Sequence, residues 1–254
     1  MPAPENPLKT ALAERRLQRG LWLNLCSPLV AEMAGRAGVD WCLIDGEHGP
    51  WDPAGIRDQL IALEGTGTAP VVRVPCDAPW VLKQVLDLGV QSVLVPMVHS
   101  AEQARAVVRG LRYPPAGIRG HGAMVARAGG FGRIADYPAT ADAQICCIVQ
   151  AESRAALEDI DAIAATDGVD AIFIGPADLA ADMGHLTDPD HPQVRAAIEG
   201  AIARILARGK AAGIICAPAD FDRYIDLGVT FLGLGCDAMI LQAGLDALGQ
   251  GPRP

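Results

Sequence analysis

An alternation of short apolar runs with amphipathic stretches recurs eight times along the chain and constrains its fold more than any other feature. Each run is largely apolar on both faces and is bounded by Gly, Pro or Asp, which is typical of a parallel strand covered on both sides. Eight strand–helix units in about 250 residues predict a (β/α)8 TIM barrel, with an open doubly wound sheet as the alternative. The runs are 21–25, 41–47, 71–75, 92–98, 145–152, 171–176, 211–216 and 230–235.

Helix start signals stand between these runs. Asp52 before a proline, and Ser100 with Gln103 as a capping box, each predict a helix N-terminus ahead of an apolar stripe. Ser153 predicts the start of one further helix. No low-complexity tract or flexible linker divides the pattern, so residues 1–254 are expected to form a single barrel domain.

A long segment without apolar periodicity precedes the fifth run. Residues 112–144 are rich in Gly and Arg, and their length and composition predict a functional loop over the exit of the fourth strand. His121 lies in this segment, and His99 lies at the exit of the fourth run. For both histidines, contact with a substrate and an ordinary loop position remain open.

The composition excludes several classes of function. Lys and Arg number 21 against 30 Asp and Glu, a formal charge of −9 without a basic patch, so neither nucleic acid nor an anionic membrane is an expected partner. Polar residues, Gly or Pro interrupt every apolar run before the roughly 18 residues that a spanning helix needs. The N-terminus lacks a secretory signal and the seven cysteines form no CxxC pair, so we expect a cytoplasmic protein with free thiols. The GxGxxG and P-loop nucleotide motifs are missing.

Polar residues follow the second run and interrupt the third, where an apolar core would not tolerate them. Asp45 and Glu47 share one side of the second run, and His48 follows at its exit. Arg73 lies inside the third run, and an arginine in a buried strand must meet an anion. The alternatives are that Asp45 and Gly46 form a turn, and that Arg73 makes a structural ion pair with Asp45 or Glu47. The clustering favours an active site at these strand ends.

Two more carboxylates follow the fifth and sixth runs. Glu152 and Asp178 each have an alternative interpretation, because an acid beside a helix N-terminus stabilises that helix. Together with Asp45 and Glu47, however, they place four negative charges against one arginine and at most one charged histidine. A site of low dielectric holds such an excess only with a cation or with raised pKa values. Oxygen ligands favour a hard divalent ion such as Mg²⁺ or Mn²⁺ over zinc.

The lysines argue against a Schiff-base mechanism. Lys9 lies in the N-terminal lead-in, Lys83 lies inside a predicted helix, and Lys210 precedes the seventh run at the expected opposite end of the barrel. No GxSxG motif supports a covalent serine mechanism either. Activation of a carbonyl by a metal ion is the interpretation that is left.

Eight short segments occur in an order and spacing that are specific, although each is weak alone. They are GLW at 20–22, LIDGEH at 43–48, VRVP at 72–75, LDLG at 86–89, VPMV at 95–98, RYPPAGIRG at 112–120, QAES at 150–153 and FIGPADL at 173–179. In these segments, over nearly its full length, the chain resembles the HpcH/HpaI class II aldolases. That family includes 4-hydroxy-2-oxoheptanedioate aldolase and 2-keto-3-deoxy sugar-acid aldolases.

The resemblance implies a (β/α)8 barrel of the phosphoenolpyruvate/pyruvate superfamily and an aldolase reaction. A 4-hydroxy-2-oxo acid would be cleaved reversibly, through a metal-bound enolate, to an aldehyde and pyruvate or an analogue such as hydroxypyruvate. Glu152 and Asp178 would hold the divalent metal, Mg²⁺ or Mn²⁺, with Co²⁺ as a further option. The sequence leaves open the physiological aldehyde, the native metal and the stereochemistry.

The resemblance also implies a role for each site residue. Arg73 would stabilise the enolate oxygen, and His48 would transfer the proton of the hydroxyl group derived from the aldehyde. Asp87 of a neighbouring subunit would orient His48, and Asp45 would support the site. The implied substrate-binding residues are Trp22, Arg73, Gln150, Gly175, Pro176, Ala177 and Asp178. Among them, Gln150 and the backbone amides of residues 175–178, at a helix start, would help hold the pyruvate carboxylate.

Members of this family are typically hexamers, trimers of dimers that exchange a C-terminal helix, here the segment after Cys236. A homo-oligomer is therefore expected. Two alternatives to the aldolase remain open. One is a CoA-ester lyase of the citrate-lyase-β type, and the other is a catalytically silent oxoacid-binding protein on the same barrel.

Overall fold

A computed structural model describes residues 1–249, in which eight parallel strands close into a barrel in chain order. The predicted (β/α)8 barrel is confirmed, because the first strand pairs with the last, as an open sheet does not allow. Residues 250–254, which end both the predicted domain and the predicted exchanged segment, lie outside the described residues. The strands are β1 (Gln18–Leu23), β2 (Trp41–Asp45), β3 (Ala69–Arg73), β4 (Ser92–Val95), β5 (Cys146–Ala151), β6 (Ala171–Ile174), β7 (Ala211–Ile215) and β8 (Phe231–Cys236).

The first helix precedes β1, and its Leu8 and Leu12 belong to the inner core, whereas the later helices cover the outside of the barrel. Six of the helices begin with proline, whose fixed φ and missing N–H suit the first helical position. None of the helices within residues 1–249 is long and apolar enough to cross a bilayer. The helices are α1 (Pro7–Ala13), α2 (Pro28–Gly35), α3 (Pro53–Leu63), α4 (Pro79–Asp87), α5 (Ala101–Leu111), α6 (Tyr137–Thr140), α7 (Arg154–Glu158), α8 (Ile160–Ala165), α9 (Pro176–Asp182), α10 (Pro192–Ala207), α11 (Phe221–Asp226) and α12 (Asp237–Gly249).

The helix starts predicted from capping residues are confirmed, with one difference. The side chains of Asp52, Ser100 and Ser153 each accept a backbone N–H from the first turn of the helix that follows. The helix predicted from Ser153 is two helices, α7 and α8, which meet at Asp159. The Asp159 carboxylate accepts the N–H of Ala101 at 2.7 Å, so this residue serves the start of α5 instead of continuing a helix.

The barrel has an inner and an outer apolar core. Inside it, the Phe231 ring contacts the rings of both Trp41 and Phe173, and the three side chains belong to the inner core. Gly20 makes this packing possible, because a Cβ at that position would lie 1.9 Å from the Trp41 ring. The outer core fills the layer between strands and helices. The reactive groups are therefore confined to the strand exits.

Most predicted runs extend one to three residues beyond the strands. The second run, for example, was predicted to reach Glu47, but β2 ends at Asp45. The residues past each strand turn away from the sheet into the loops at its mouth. The first strand was predicted to begin at residue 21, but β1 begins at Gln18. Gln18 and Arg19 are polar and so lie outside the apolar run, yet the Gln18 N–H donates to the Thr230 carbonyl at 2.7 Å.

The sequence predicted that residues 112–144 cover the exit of β4, and this prediction is wrong. The segment connects α5 to the start of β5. It lies along α4 and reaches the C-terminal ends of α3 and α4. Arg127 reaches Glu64 after α3 and the carbonyl of Leu88 after α4. Because helix C-termini lie at the N-terminal end of the strands, much of the segment belongs to the end of the barrel away from the strand exits.

The seven cysteines are free, as predicted. Cys42, Cys146 and Cys147 are fully buried in strands. Burial raises the pKa of the Cys42 and Cys147 thiols to about 12, and it raises that of Cys146 as well. These thiols therefore act as small apolar side chains.

Candidate active site

The predicted site residues, with the exception of Asp87, come from the exits of β1, β2, β3, β5 and β6. In the register of β2 and β3, Asp45 lies directly opposite Arg73, so both side chains point to the same face of the sheet. Glu152 directly follows β5, and Asp178 lies in the first turn of α9, which follows β6. The barrel thus places these predicted residues at a common mouth.

Arg73 makes the ion pairs that were considered as its structural alternative. Its Nε and Nη2 atoms lie 2.8 and 2.7 Å from the two oxygens of Asp45, and Nη1 lies 2.7 Å from Glu47 Oε2. The guanidinium stacks on the Trp22 ring at 4.3 Å. The contact with Glu47 is an ion pair without hydrogen-bond geometry, since Glu47 Oε2 has no hydrogen-bond partner among the described residues. The hydrogen bonds to Asp45 use two of the five guanidinium N–H bonds, so others remain for a substrate oxygen. Arg73 is therefore a fixed cation that can still donate.

Asp45 is held by an almost complete set of hydrogen-bond donors. Besides Arg73, it accepts the side-chain amide of Asn24 and the backbone N–H groups of Glu47 and His48. A carboxylate offers about four lone-pair sites, so these contacts leave little capacity for a substrate. The geometry supports the predicted supporting role of Asp45 and not a role in proton transfer.

His48 is exposed at the mouth beside this cluster. Within residues 1–249 its imidazole has no hydrogen-bond partner, and only its backbone N–H is engaged, at 3.3 Å from Asp45 Oδ1. Burial raises the pKa of the neighbouring Glu47, and the charge of Arg73 and, to a smaller extent, that of His48 oppose the shift. The imidazole is available to a substrate hydroxyl group.

Glu152 is a buried carboxylate without a cationic partner among residues 1–249. Its Oε1 accepts the N–H of Met97 at 2.7 Å, and its Oε2 accepts the side-chain amide of Gln150. The pKa of Glu152 is raised to about 7, mainly by burial and to a smaller extent by the charges of Asp178 and Glu47, although these two hydrogen bonds lower it. A cation at this point would balance the charge.

The residues at this point fit a divalent cation. Glu152 and Asp178 supply the two carboxylates predicted as ligands, and no group of three or more His, Cys, Asp or Glu side chains suited to a metal occurs within residues 1–249. Gly175 leaves the space, because a Cβ there would lie 2.4 Å from Glu152 Oε2. Two oxygen ligands completed by water and substrate suit Mg²⁺ or Mn²⁺.

The predicted carboxylate-binding segment offers fewer donors than expected. The N–H of Gly175 donates to the Ala151 carbonyl at 3.3 Å, and Pro176 has no N–H. The amides of Ala177 and Asp178 remain at the N-terminus of α9. The buried Oε1 atom of Gln150 has no partner among the described residues.

Asp87 lies elsewhere in this chain. It ends α4, at the opposite end of the barrel from the strand exits, and pairs with the buried Arg119 at 3.0 Å. Its implied action on His48 required a neighbouring subunit, and that role stays a prediction. His121 contacts the Tyr113 ring edge-on, and the Nδ1 atom of His99 lies 2.8 Å from Ser153 Oγ.

Three contributors to the site were not recognised from the sequence. Asn24 was counted as part of the first strand, although a polar residue after an apolar run is the same signal that pointed to Asp45. Asp237 follows β8 in the same way and accepts the N–H groups of Asn24 and Leu25. The Met97 N–H reaches Glu152 because Met97 adopts φ of 56°, which no side-chain pattern reveals.

Comparison with known proteins is consistent with this geometry. The model of the HpcH/HpaI aldolase/citrate lyase family matches residues 18–243. The chain belongs to this family. The resemblance predicted from the sequence is thereby confirmed. A crystal structure of an HpcH/HpaI aldolase/citrate lyase family protein from Burkholderia cenocepacia J2315 superposes with a TM-score of 0.92 at 39% identity, covering 96% of this chain and 98% of that one.

Two curated relatives in the family cover almost all of both chains. A hydroxypyruvate/pyruvate aldolase from Agrobacterium fabrum is 52% identical, over 100% of this chain and 98% of the relative. A 4-hydroxy-2-oxo-heptane-1,7-dioate aldolase from Klebsiella pneumoniae is 49% identical, over 96% and 92%. At this similarity the chain is an aldolase, and so an aldehyde-lyase.

Proposed function

We propose that the protein is a divalent-metal-dependent aldolase of 4-hydroxy-2-oxo acids, which it cleaves reversibly to an aldehyde and pyruvate or hydroxypyruvate. The observation that carries the proposal is that two groups occur at the same barrel mouth. One is Arg73, which is held in place and can still donate hydrogen bonds, and the other is the carboxylate of Glu152, which has no cationic partner within residues 1–249. The names of the relatives support this choice of oxo acids. A hydroxypyruvate/pyruvate aldolase is 52% identical to this chain, and a 4-hydroxy-2-oxo-heptane-1,7-dioate aldolase is 49% identical.

In the cleavage direction, the C4 hydroxyl group must lose a proton while the C3–C4 bond breaks. His48, exposed at the mouth, accepts that proton, directly or through water. The electron pair of the broken bond moves onto the C2 oxygen, which gives the enolate of pyruvate and an aldehyde. Arg73 donates to that oxygen as its negative charge develops. Protonation of the enolate at C3 then yields pyruvate.

The remaining residues bind and orient the oxo acid. Glu152 and Asp178 would hold Mg²⁺ or Mn²⁺, with Co²⁺ as a further option, and the ion would supply electrophilic stabilisation of negative charge. The amides of Ala177 and Asp178 bind the substrate carboxylate at the N-terminus of α9. The Gln150 side chain orients Glu152, and Trp22 fixes one face of the Arg73 guanidinium.

Exchange of the pyruvate methyl protons in D₂O tests the proposal, because enolisation is required whatever the aldehyde. After EDTA treatment, the protein is expected to show no exchange by proton NMR, and Mg²⁺ is expected to restore it. For Mn²⁺, mass spectrometry of quenched samples avoids paramagnetic broadening. Binding of pyruvate without exchange under either ion would contradict the aldolase and favour a silent oxoacid-binding protein. Cleavage of malyl-CoA or citramalyl-CoA would favour a CoA-ester lyase.

We also propose that the protein is a cytoplasmic homo-oligomer, a hexamer built as a trimer of dimers that exchange α12. Five large apolar side chains of this helix are more than half exposed, as expected for a surface covered by another chain. They are Met239, Ile240, Leu241, Leu245 and Leu248. The free cysteines support a reducing compartment.

Sedimentation is expected to give six times the chain mass of 26.5 kDa. The double variant Ile240→Glu with Leu245→Glu is expected to sediment as smaller species, because it places charges in the covered surface. Gln242→Lys is the control, since it adds a charge to the same helix and leaves the apolar side chains in place. A wild-type protein that sediments as a monomer at micromolar concentration would contradict the assembly.

A further inference from the structure

The first residue of α12 fixes the backbone at the exit of β1. Asp237 is 6% exposed, and its carboxylate accepts the N–H groups of Asn24 at 2.8 Å, Leu25 at 3.2 Å and Ala238 at 2.7 Å. Charge-assisted hydrogen bonds of this kind are stronger than neutral ones. The turn after β1 is therefore tied to the start of the C-terminal helix.

The Asn24 side chain extends from this turn to the Arg73 ion pair. Its Nδ2 atom lies 2.5 Å from Asp45 Oδ2, the oxygen that also accepts Arg73 Nη2 at 2.7 Å. Because a carboxylate only accepts hydrogen bonds, the amide NH₂ group must face it. Asn24 thus donates to the same oxygen atom as Arg73.

Asn24 supplies the second donor to the Oδ2 atom of Asp45. The Oδ1 atom of Asp45 accepts Arg73 Nε and the N–H groups of Glu47 and His48, whereas on the Oδ2 side Arg73 and Asn24 are the donors. Without Asn24, Arg73 would be the sole donor to Oδ2 within residues 1–249, and the competing carboxylate of Glu47 lies 2.7 Å from Nη1. The direction of the guanidinium would then be set less firmly.

We propose that Asn24 is a positioning residue of the aldolase reaction. Held by Asp237, it orients Asp45 and, through Asp45, directs the Arg73 guanidinium to the C2 oxygen of the substrate. The inference rests on the proposed function, since it assigns Arg73 to the developing enolate. It adds a connection between the C-terminal helix and the catalytic arginine.

The substitution Asn24→Asp tests the donor role without changing the shape of the side chain. An ionised carboxylate here would lie against Asp45, with Arg73 as the nearby cation and with the Asp237 carboxylate on its backbone N–H. It would repel Asp45 where the amide attracts it. When protonated, the new carboxyl group donates again, and its like-charged neighbours favour that form. The kcat for cleavage is expected to fall about 10- to 100-fold at pH 8.

The ratio of variant to wild-type kcat is then expected to rise at least about threefold between pH 8 and pH 6. KM is expected to change less than kcat, because the direction of Arg73 matters most when charge develops on the C2 oxygen. Asn24→Ser, too short to reach Asp45, is expected to lose kcat equally at both pH values. It also decides the question if Asn24→Asp does not fold.

The chain offers a matched control in Asn6, its other asparagine. This buried side chain donates to Ser92 Oγ and to the Gln144 carbonyl, both at 3.0 Å, near the starts of β4 and β5. Asn6→Asp is expected to lower the melting temperature without changing the pH dependence of kcat. Wild-type kcat in Asn24→Ser, or an equal loss at both pH values in Asn24→Asp, would overturn the positioning role alone. A wild-type protein without pyruvate exchange would overturn the proposed function as well.

Discussion

Replacement of Glu152 with Gln is expected to lower the metal-dependent kcat/KM of cleavage by at least about 10³-fold. The amide has the shape of the carboxyl group and can still accept the Met97 N–H, but it lacks the negative charge that would hold a divalent ion. The measurement is steady-state cleavage after EDTA treatment, with Mg²⁺ or Mn²⁺ titrated back. Mn²⁺ binding, followed by electron paramagnetic resonance without substrate, is expected to weaken in parallel.

Stability separates this effect from unfolding. Glu152 is 2% exposed and has no cationic partner in the part of the chain that the structure describes. Its neutral replacement is therefore expected to leave the melting temperature of the metal-free protein unchanged or higher at pH 8. Glu199→Gln is the control, because Glu199 pairs with Arg223 on the outside of the barrel. Metal-dependent turnover of Glu152→Gln within about tenfold of the wild type would show that Glu152 is not a ligand.

The sequence was sufficient for the barrel because each strand is marked twice, by its apolar run and by the helix signals beside it. The same alternation located the principal site residues. Burying a polar side chain costs free energy unless it is hydrogen-bonded or paired with a charge, so such a residue at the end of a buried strand indicates a site. Arg73 and Glu152, both buried, were found on that argument. Their shared position follows from the parallel topology alone.

The sequence was insufficient where backbone geometry decides the contact. The donor to Glu152 Oε1 is the N–H of Met97, which reaches it through a positive φ that methionine rarely adopts. The number of backbone N–H donors in residues 175–178 was overestimated, because the Gly175 N–H donates to the Ala151 carbonyl and Pro176 has no N–H. Such assignments depend on atoms that every residue carries, so residue types do not reveal them.

The misplaced segment 112–144 shows a different limit. Its length and glycine content predicted a functional loop, but a loop that follows a helix in a barrel returns to the N-terminal end of the strands. The helix signal at Ser100, placed between the fourth run and this segment, contained that information. In a barrel, therefore, the order of elements is a better guide to the position of a loop than its composition.

Arg73→Lys is expected to lower kcat by about 10²- to 10³-fold, with a smaller change in KM. A lysine keeps the positive charge near Asp45 and Glu47, so the buried carboxylates are not left without a counter-charge, as they would be in Arg73→Ala. It cannot reproduce the two-point contact with Asp45, nor present a fixed N–H to the C2 oxygen. Steady-state cleavage and pyruvate methyl exchange measure the loss.

Both readouts are expected to fall together, because Arg73 acts on the enolate that cleavage and exchange share. Arg204→Lys is the matched control, since Arg204 also donates to a carboxylate, Asp161, but on the outer helices. If cleavage fell in Arg73→Lys while exchange stayed at the wild-type rate, Arg73 would act on the aldehyde half of the substrate and not on the enolate. The ion pair with Asp45 would then hold Arg73 toward the aldehyde, and the proposed contact of Arg73 with the C2 oxygen would be wrong.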